Sequence, residues 1–426
     1  MNISTFVKDF GARIMMPDEN DKIQAFYNSI SMTSEKFNVI TKKEPDYFRF
    51  LQYVSDRHFV IGFPNADGVL EGLAVLIVRP CYINGKSDMV GHFLDLRFKR
   101  RRERTITADW KELALAFINH GQEIEELQGC RIFHGSYITT NIYATASIGQ
   151  DNQPSENTKE KQQTGKTPPP EKKNNNAKQE KPPSAPPFLV SNLATYQAVN
   201  IYARKPQKAL GLGTFKRSGK SFTVTRGLEE DREALKAFLD GQNKVKTFGY
   251  IYSSETGEFE RRIRDWDNYS MASFFIARDA SQSIVGAFGV FDPGAGRQIY
   301  IDKIPAEKAL MAKTGKLVGL KVPEPNEKID ILYLTTFELG HDLTADERLD
   351  VFDRMLDALY KSGIPKNYHI VSFCDYSQQS LLEVVQKGYM FDATPVLLYQ
   401  LHAPDATEVY REAEMAHPPG HEMVLM

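Results

Sequence analysis

The stretch Lys99-Arg100-Arg101-Arg102-Glu103-Arg104-Thr105-Ile106-Thr107-Ala108-Asp109-Trp110 lies between an apolar, strand-forming run and an amphipathic, helix-forming run. A turn that passes from strand into helix presents unpaired N–H groups to an anion. A related turn returns late in the chain as Leu339-Gly340-His341-Asp342-Leu343-Thr344-Ala345-Asp346-Glu347, again after an apolar run and before an amphipathic helix. Both copies keep Thr-Ala-Asp at the helix start. The first is densely basic, whereas the second is acidic and contains no Lys or Arg. A strand-turn-helix unit present in both halves predicts an internally repeated, mixed α/β fold.

Working outward, the elements on either side agree in order. In the first half a short strand leads into a helix whose apolar residues Ile23, Phe26, Tyr27 and Ile30 recur at helical spacing. A second helix covers 47–54. Strands at 59–63 and 72–78 flank Asn65-Ala66-Asp67-Gly68, a tight-turn signal. A further turn at 82–86 leads to a strand at 92–98, the basic turn, a helix over 108–120 stopped at Gly121, and a strand over 131–138. In the second half, 222–240 repeats the opening strand and helix. The hairpin 274–277 with 284–291 follows, with Gly286 standing where Gly72 stood. Strand 329–338, the second turn, helix 349–360 with Gly363 as its stop, strand 371–374, helix 381–387 and strand 396–401 complete the series.

A chain of 426 residues exceeds the roughly 100 to 200 residues of one ordinary domain, so two are expected. Charge is balanced, 53 Lys plus Arg against 55 Asp plus Glu, which argues against a nucleic-acid coat or a membrane-surface protein. The three cysteines, Cys81, Cys130 and Cys374, fit no disulfide or zinc framework, and the nine histidines lack metal-ligand spacing. No secretory leader or membrane-length apolar run is read, so a cytoplasmic protein is expected. Residues 150–187 are almost free of aliphatic side chains and include Pro168-Pro169-Pro170 and Asn174-Asn175-Asn176. Such a run cannot offset its ordering entropy and is expected to be disordered. The expected organisation is a first domain of 1–149 plus 188–206, the insertion 150–187, a linker 207–220, a second domain 221–404 and a C-terminal tail 405–426.

The repeated order of elements resembles a tandem pair of GNAT-type N-acetyltransferase domains. The most family-like stretch runs from Lys361-Ser362-Gly363-Ile364-Pro365 to Gln386-Lys387-Gly388-Tyr389. The resemblance implies two domains, each a mixed, mostly antiparallel sheet flanked by helices, forming a pseudo-dimer within one chain. It also implies acetyl-CoA or another acyl-CoA as cofactor, its pyrophosphate wrapped by a glycine-rich turn. Neither copy keeps those glycines. In the first turn, Arg101, Arg102 and Arg104 with the N–H groups near Thr107 and Ala108 would hold the anion instead. In the second, carboxylates crowd the helix start, and Thr344-x-x-Glu347 reads as a capping box. The family often protonates the departing thiolate with a tyrosine of the late helix. The second half has Val384 there, beside Glu383, and the first offers Tyr143 with partly kept spacing. The second half thus resembles a pseudo-enzyme, while the first retains some ingredients.

Each sharp assignment has a plainer alternative. The Arg cluster is either an anion site or a solvated turn. Tyr143 is either a general acid or an ordinary packed tyrosine. Asp95 and Glu338, near the strands that lead to the turns, are either bases toward an amine or edge carboxylates. Arg261, Arg262 and Arg264 with Trp266 and Tyr269 mix charge and aromatics as nucleic-acid surfaces do, or form a solvated hairpin. The functional expectation is an acyl-CoA-dependent N-acyltransferase or a degenerate acyl-CoA-binding descendant, with ligand in the first half and a small amine or protein amine as acceptor. The alternative is a non-catalytic binding or scaffold protein that recruits a partner through 150–187.

Overall fold

The computed structural model describes residues 1–30, 38–106, 109–139, 188–211, 218–255, 257–303, 321, 323–324 and 326–425. Thr107, Ala108, Tyr143, the run 150–187 and residues 212–217 of the expected linker lie outside the described residues.

The first half contains α1 (Ile3–Lys8), β1 (Arg13–Met15), α2 (Asn20–Ser29), β2 (Asn38–Lys42), α3 (Tyr47–Val54), β3 (His58–Pro64), β4 (Leu70–Ile83), β5 (Lys86–Phe98), α4 (Trp110–His120), β6 (Ile132–Ile138) and β7 (Leu189–Arg204). After a helical turn, α5 (Pro206–Ala209), come β8 (Thr223–Arg226), α6 (Arg232–Lys244), β9 (Gly249–Tyr250), α7 (Glu258–Asp265), β10 (Phe274–Arg278), β11 (Ile284–Phe291), β12 (Gln298–Lys303), β13 (Lys328–Ile329) and β14 (Ile331–Leu339). The chain ends through α8 (Ala345–Lys361), β15 (Ile370–Tyr376), α9 (Leu382–Gly388) and β16 (Tyr389–His402).

Local chemistry sets several boundaries. Asn84 and Gly85, with φ of 51° and 78°, close the two-residue hairpin between Ile83 and Lys86, the left-handed pair that an Asn-Gly turn supplies. The Thr344 and Glu347 capping box opens α8, and Gly363 at φ 80° follows its end. Helix α4 starts at Trp110, two residues later than expected, because the Asp109 carboxylate accepts from Lys111 N at 2.9 Å and becomes the cap.

The main sheet runs β1-β3-β4-β5-β6-β16-β7-β15-β14-β11-β10-β8, with β9 pairing β4. Among the described residues its parallel pairs are β5 with β6 and β14 with β15. The order reads symmetrically outward from the central β16–β7 ladder, which runs from Tyr389 opposite Arg204 to His402 opposite Leu189. Leu189–Arg204 pairs with β15 and β16, while β16 pairs with β6, so each half lends its last strand to the other. A sequence shows that a segment will be a strand, but not which edge it joins.

Alternation along the strands builds a core on each face. Leu73, Val75 and Ile77 of β4 pack toward α2 and α3, while Ala74, Leu76 and Val78 pack toward α1 and α4. In the second half Phe274 and Ile276 face α6 and α7, and Phe275 and Ala277 face α8 and α9. One core cluster joins α2 and α3 to α6 and α7 and also takes in Val424 and Leu425. The expected C-terminal tail is therefore built into the centre, where Gly420 N donates to Thr247 O at 2.9 Å. A second sheet, β13-β12-β2, also spans the halves. Among the described residues no helix is long and apolar enough to cross a membrane.

Candidate functional site

Both halves carry the same irregularity beside a parallel strand pair. On β5, Asp95 and Leu96 stand opposite the single residue Ala74; on β14, Thr336 and Phe337 stand opposite Phe288. These are β-bulges, and Asp95 and Thr336 take positive φ of 49° and 50°. Each bulge lies just beyond the last parallel contact, Phe93 with Gly135 and Tyr333 with Ser372. Past those contacts no further pairing joins the two strands of either pair.

In the second half a cleft opens here, lined by Leu334, Phe337 and Glu338 of β14, Cys374, Asp375 and Tyr376 of β15, and Pro418 to Met423. Phe337 stacks on Phe352 of α8 at 5.4 Å, whereas Glu338 turns the other way, to Asn243 at 2.8 Å and Lys246 at 2.6 Å. The cleft thus has walls from both faces. Burial raises the Glu338 carboxyl above its ordinary range, and Lys246 and Asn243 offset this only in part.

The chain's own C-terminal segment reaches the bulge. Thr336 N donates to Glu422 Oε1 at 3.0 Å, Arg262 Nη1 donates to both Glu422 oxygens at 2.9 Å, and the Thr335 hydroxyl donates to Glu422 Oε2. Arg262 is 1% exposed and also pairs with Glu258 at 2.7 Å. One residue earlier, His421 meets the Tyr196 hydroxyl at 3.3 Å. His421 also borders His92, whose ring stacks on His134 at 4.3 Å. Burial pushes all three imidazoles toward the neutral form, His421 to about 3.

The first-half bulge faces a different set of groups. The Asp95 carboxylate pairs with Lys43 and accepts from the Tyr47 hydroxyl at 2.9 Å. Lys43 is 2% exposed, with Nζ 4.6 Å and 4.7 Å from the ring centres of Phe50 and Tyr47. Burial lowers its pKa to about 8, and Asp95 opposes that fall. Burial also works against the Asp95 charge, but Lys43 and Arg97 more than offset it and hold the carboxyl below its ordinary range. Arg97 lies 3.6 Å over the Tyr27 ring, and Arg297 lies 4.6 Å over Phe50 and donates to the Tyr333 hydroxyl at 3.2 Å.

The basic turn holds an anion of its own. Thr105 N and Ile106 N donate to Glu71 Oε2 at 2.7 and 3.1 Å, and the Thr105 hydroxyl donates to Glu71 Oε1 at 3.1 Å. Burial pushes the Glu71 carboxyl up, and these donors bring it below its ordinary range. Arg101 belongs to the short 3₁₀ turn Arg101–Glu103, Arg102 is exposed beside Glu103 at 3.6 Å, and Arg104 lies 5.2 Å over Phe98.

Of the residues singled out from sequence, Asp95 and Glu338 both lie at the bulges, each already paired with a lysine. Val384 is buried in the core beside α8. Arg261 and Arg262 form neither a nucleic-acid surface nor a solvated hairpin: they are buried on α7. Arg261 donates to the Gln52 and Tyr53 carbonyls at 3.0 Å, and Trp266 Nε1 donates to Tyr53 O at 2.8 Å. Lys43, Arg97, Glu71 and Glu422 went unmarked by sequence reading. The Lys42-Lys43-Glu44-Pro45 run looks like an ordinary loop, and Glu71 and Glu422 gain meaning only from partners distant in sequence.

No family model matches the chain, and no curated protein matches it. Solved structures do. A GCN5-related glucosamine N-acetyltransferase region of a fungal multi-domain GH3 β-N-acetylglucosaminidase is similar over 92% of this chain and 38% of its own, with a TM-score of 0.51 and 7% identity. N-myristoyltransferase of Saccharomyces cerevisiae with bound myristoyl-CoA is similar over 92% of this chain and 83% of its own, with a TM-score of 0.48 and 11% identity. A protein of Enterococcus faecalis V583 described as a probable N-acyltransferase is similar over 91% of this chain and 71% of its own, with a TM-score of 0.44 and 10% identity. The fungal region supports what the bulged strand pairs indicate: the chain has a GNAT-type fold. The chain spans well under half of that fungal protein's length.

Proposed function

We propose that the protein binds an acyl-CoA and directs its acyl group to an amine, with the first half as the working half and the second as its structural partner. The observation that carries this reading is the contrast between two bulges of the same backbone form. At the second, the Thr336 amide and Thr335 hydroxyl are engaged by Glu422. At the first stand Asp95, Lys43 and Tyr47, a set suited to moving a proton. When bound, an acyl-CoA supplies the thioester. Lys43, whose pKa burial lowers to about 8, takes the acceptor's proton while Asp95 steadies its charge. A bound acyl-CoA would offer its thioester carbonyl carbon to the deprotonated nitrogen, and Tyr143 would return a proton to the thiolate released as the C–S bond breaks. Because Glu71 holds the Thr105 and Ile106 amides, pyrophosphate binding rests on the side chains of Arg101, Arg102 and Arg104. The symmetric strand order supports two GNAT-like units, 1–149 with 188–206 and 221–404, joined through 207–220 as a pseudo-dimer within one chain.

A second reading has its own observation. Glu71 occupies the amides that would otherwise receive a phosphate, as suits a non-catalytic scaffold that binds a protein partner through 150–187. Calorimetry with acetyl-CoA and longer acyl-CoAs separates the two. On the first reading, replacing Arg101 and Arg102 with Ala weakens binding by about 2 to 4 kcal/mol. Replacing Asp342 and Asp346 with Asn leaves it unchanged. Equal weakening by both pairs refutes the first-half assignment, and binding of no acyl-CoA leaves the scaffold reading.

A further inference from the structure

The second-half cleft carries one charge that the chain does not answer. Its acids are each engaged. Glu338 accepts from Lys246 at 2.6 and 2.7 Å, Glu422 holds Arg262, and Asp375 accepts from the Ser380 hydroxyl at 2.8 Å and Leu381 N at 2.6 Å. Arg348, in the first turn of α8, also lines the cleft and is half-buried. Its Nη2 donates to the Leu343 carbonyl at 3.3 Å, and no carboxylate among the described residues pairs with it. Its neighbour Glu347 is taken by Lys220. Elsewhere in this half Arg261, Arg278 and Arg354 each pair with an acid at 2.6 or 2.7 Å. Burial pulls the Arg348 pKa below its ordinary value, and no acid counters that pull. Its field is felt nearby: the imidazoles of His341 and His417 stack at 4.1 Å, and burial first, with Lys246 and Arg348 adding to it, lowers both, Asp342 opposing this at His341 alone. The same cleft offers the apolar side chains of Leu334, Phe337, Leu339, Leu381 and Pro418, the mixture of apolar wall and few polar groups that binds small molecules.

We infer that the second-half cleft is a binding site for a small monocarboxylate with an apolar body, its carboxylate on Arg348 and its carbon chain against Leu334, Phe337 and Leu339. One unanswered guanidinium calls for one negative charge, and a planar carboxylate matches its paired donors. The cavity of about 90 Å³ takes roughly six to nine waters, and so a ligand of about that many heavy atoms, not a long chain. The site is separate from the Lys43–Asp95 pair and gives the second half a ligand of its own, whether or not the first half binds an acyl-CoA.

The test is calorimetry on the full chain with butyrate, isovalerate and hexanoate, each against its primary amide. The acids are expected to bind about ten- to a hundredfold tighter than the amides, and decanoate, too long for the cavity, more weakly than hexanoate. Arg348→Met should erase the preference, and Arg348→Lys should retain part of it. Bound hexanoate should also slow amide hydrogen exchange at 334–339 and 420–423. Equal binding of acid and amide, binding of neither, a preference that survives Arg348→Met, or protection confined to the first half overturns the inference. Inorganic phosphate binding as tightly as hexanoate overturns it too, since the apolar wall would then count for nothing. If Arg348→Met fails to fold, the acid-to-amide comparison and the exchange map on the unaltered chain still decide.

Discussion

Replacing Glu422 with Ala should destabilise the whole molecule, although Glu422 lies only four residues before Met426. Its carboxylate takes charge-assisted bonds from Arg262 Nη1 at 2.9 Å, a backbone bond from Thr336 N at 3.0 Å and a hydroxyl bond from Thr335. The Arg262 side chain is 1% exposed and that of Glu422 13%, so water reaches the guanidinium poorly once the carboxylate is gone. Breaking a buried ion pair from one side costs about 3 to 5 kcal/mol. Glu258, at 2.7 Å, keeps part of the Arg262 charge compensated, which favours the lower end, about 3 kcal/mol. The measurement is urea unfolding of the Glu422→Ala, Arg262→Met and double variants, read as a double-mutant cycle. The double variant should lose much less than the sum of the singles, because Met leaves no uncompensated charge. A Glu422→Ala loss under about 1 kcal/mol, or additive singles, would refute the claim that the terminal segment is locked by this pair.

Separate expression of 1–206 and 221–426 should give two poorly soluble fragments, since each then carries a long strand without its ladder partner; two stable monomers that ignore each other on mixing would contradict this. Acidification should destabilise the fold between about pH 6.5 and pH 3. Buried His421 binds its proton more weakly folded than unfolded, so the unfolded chain holds more protons in that window and stability falls as pH falls. His134→Phe, which keeps the stack with Phe248 at 5.1 Å, should lower the acid-unfolding midpoint, and an unchanged midpoint would remove that histidine from the account. For Lys43 the linkage runs across alkaline pH. Its folded pKa of about 8 lies below the ordinary 10.5, so its burial should cost stability below pH 8 and cease to do so by pH 10.5, a rise that Lys43→Met lacks. Deleting 150–187 and joining the ends with a short flexible segment should move Tm by no more than about 2 °C; a larger fall on calorimetry would give that run a structural role.

Much of the architecture could be read from short-range signals. Asn84-Gly85 fixes the β4–β5 hairpin, Thr344 with Glu347 opens α8, and Gly286 sits opposite Leu339 as Gly72 sits opposite Phe98. Each signal acts within a few residues or along one strand, where the sequence states its own geometry. The candidate site was less legible because its groups meet across long separations. Asp95 finds Lys43 52 positions away, Thr105 finds Glu71 34 away, and Glu422 reaches Thr336 across 86. The Arg turn drew attention through its charge density, yet charge density cannot reveal that a carboxylate from β4 already fills the turn. Likewise Arg261 and Arg262, polar in sequence, are buried because α7 packs on the end of α3 and Arg261 caps its carbonyls.

The exchange of β7 and β16 also governs when the molecule can finish folding. As the chain emerges from a ribosome, β6 forms early but its free edge stays open until β16 arrives: Thr139 bonds to Pro395, 256 positions later. Until then the nascent first half exposes an unpaired strand edge, the kind of surface that invites pairing with a neighbouring chain. Pauses in synthesis between the halves should therefore raise dependence on chaperones more than pauses within either half. A protein assembled this way completes its centre late, and Val424 and Leu425 join a core begun by α2 and α3.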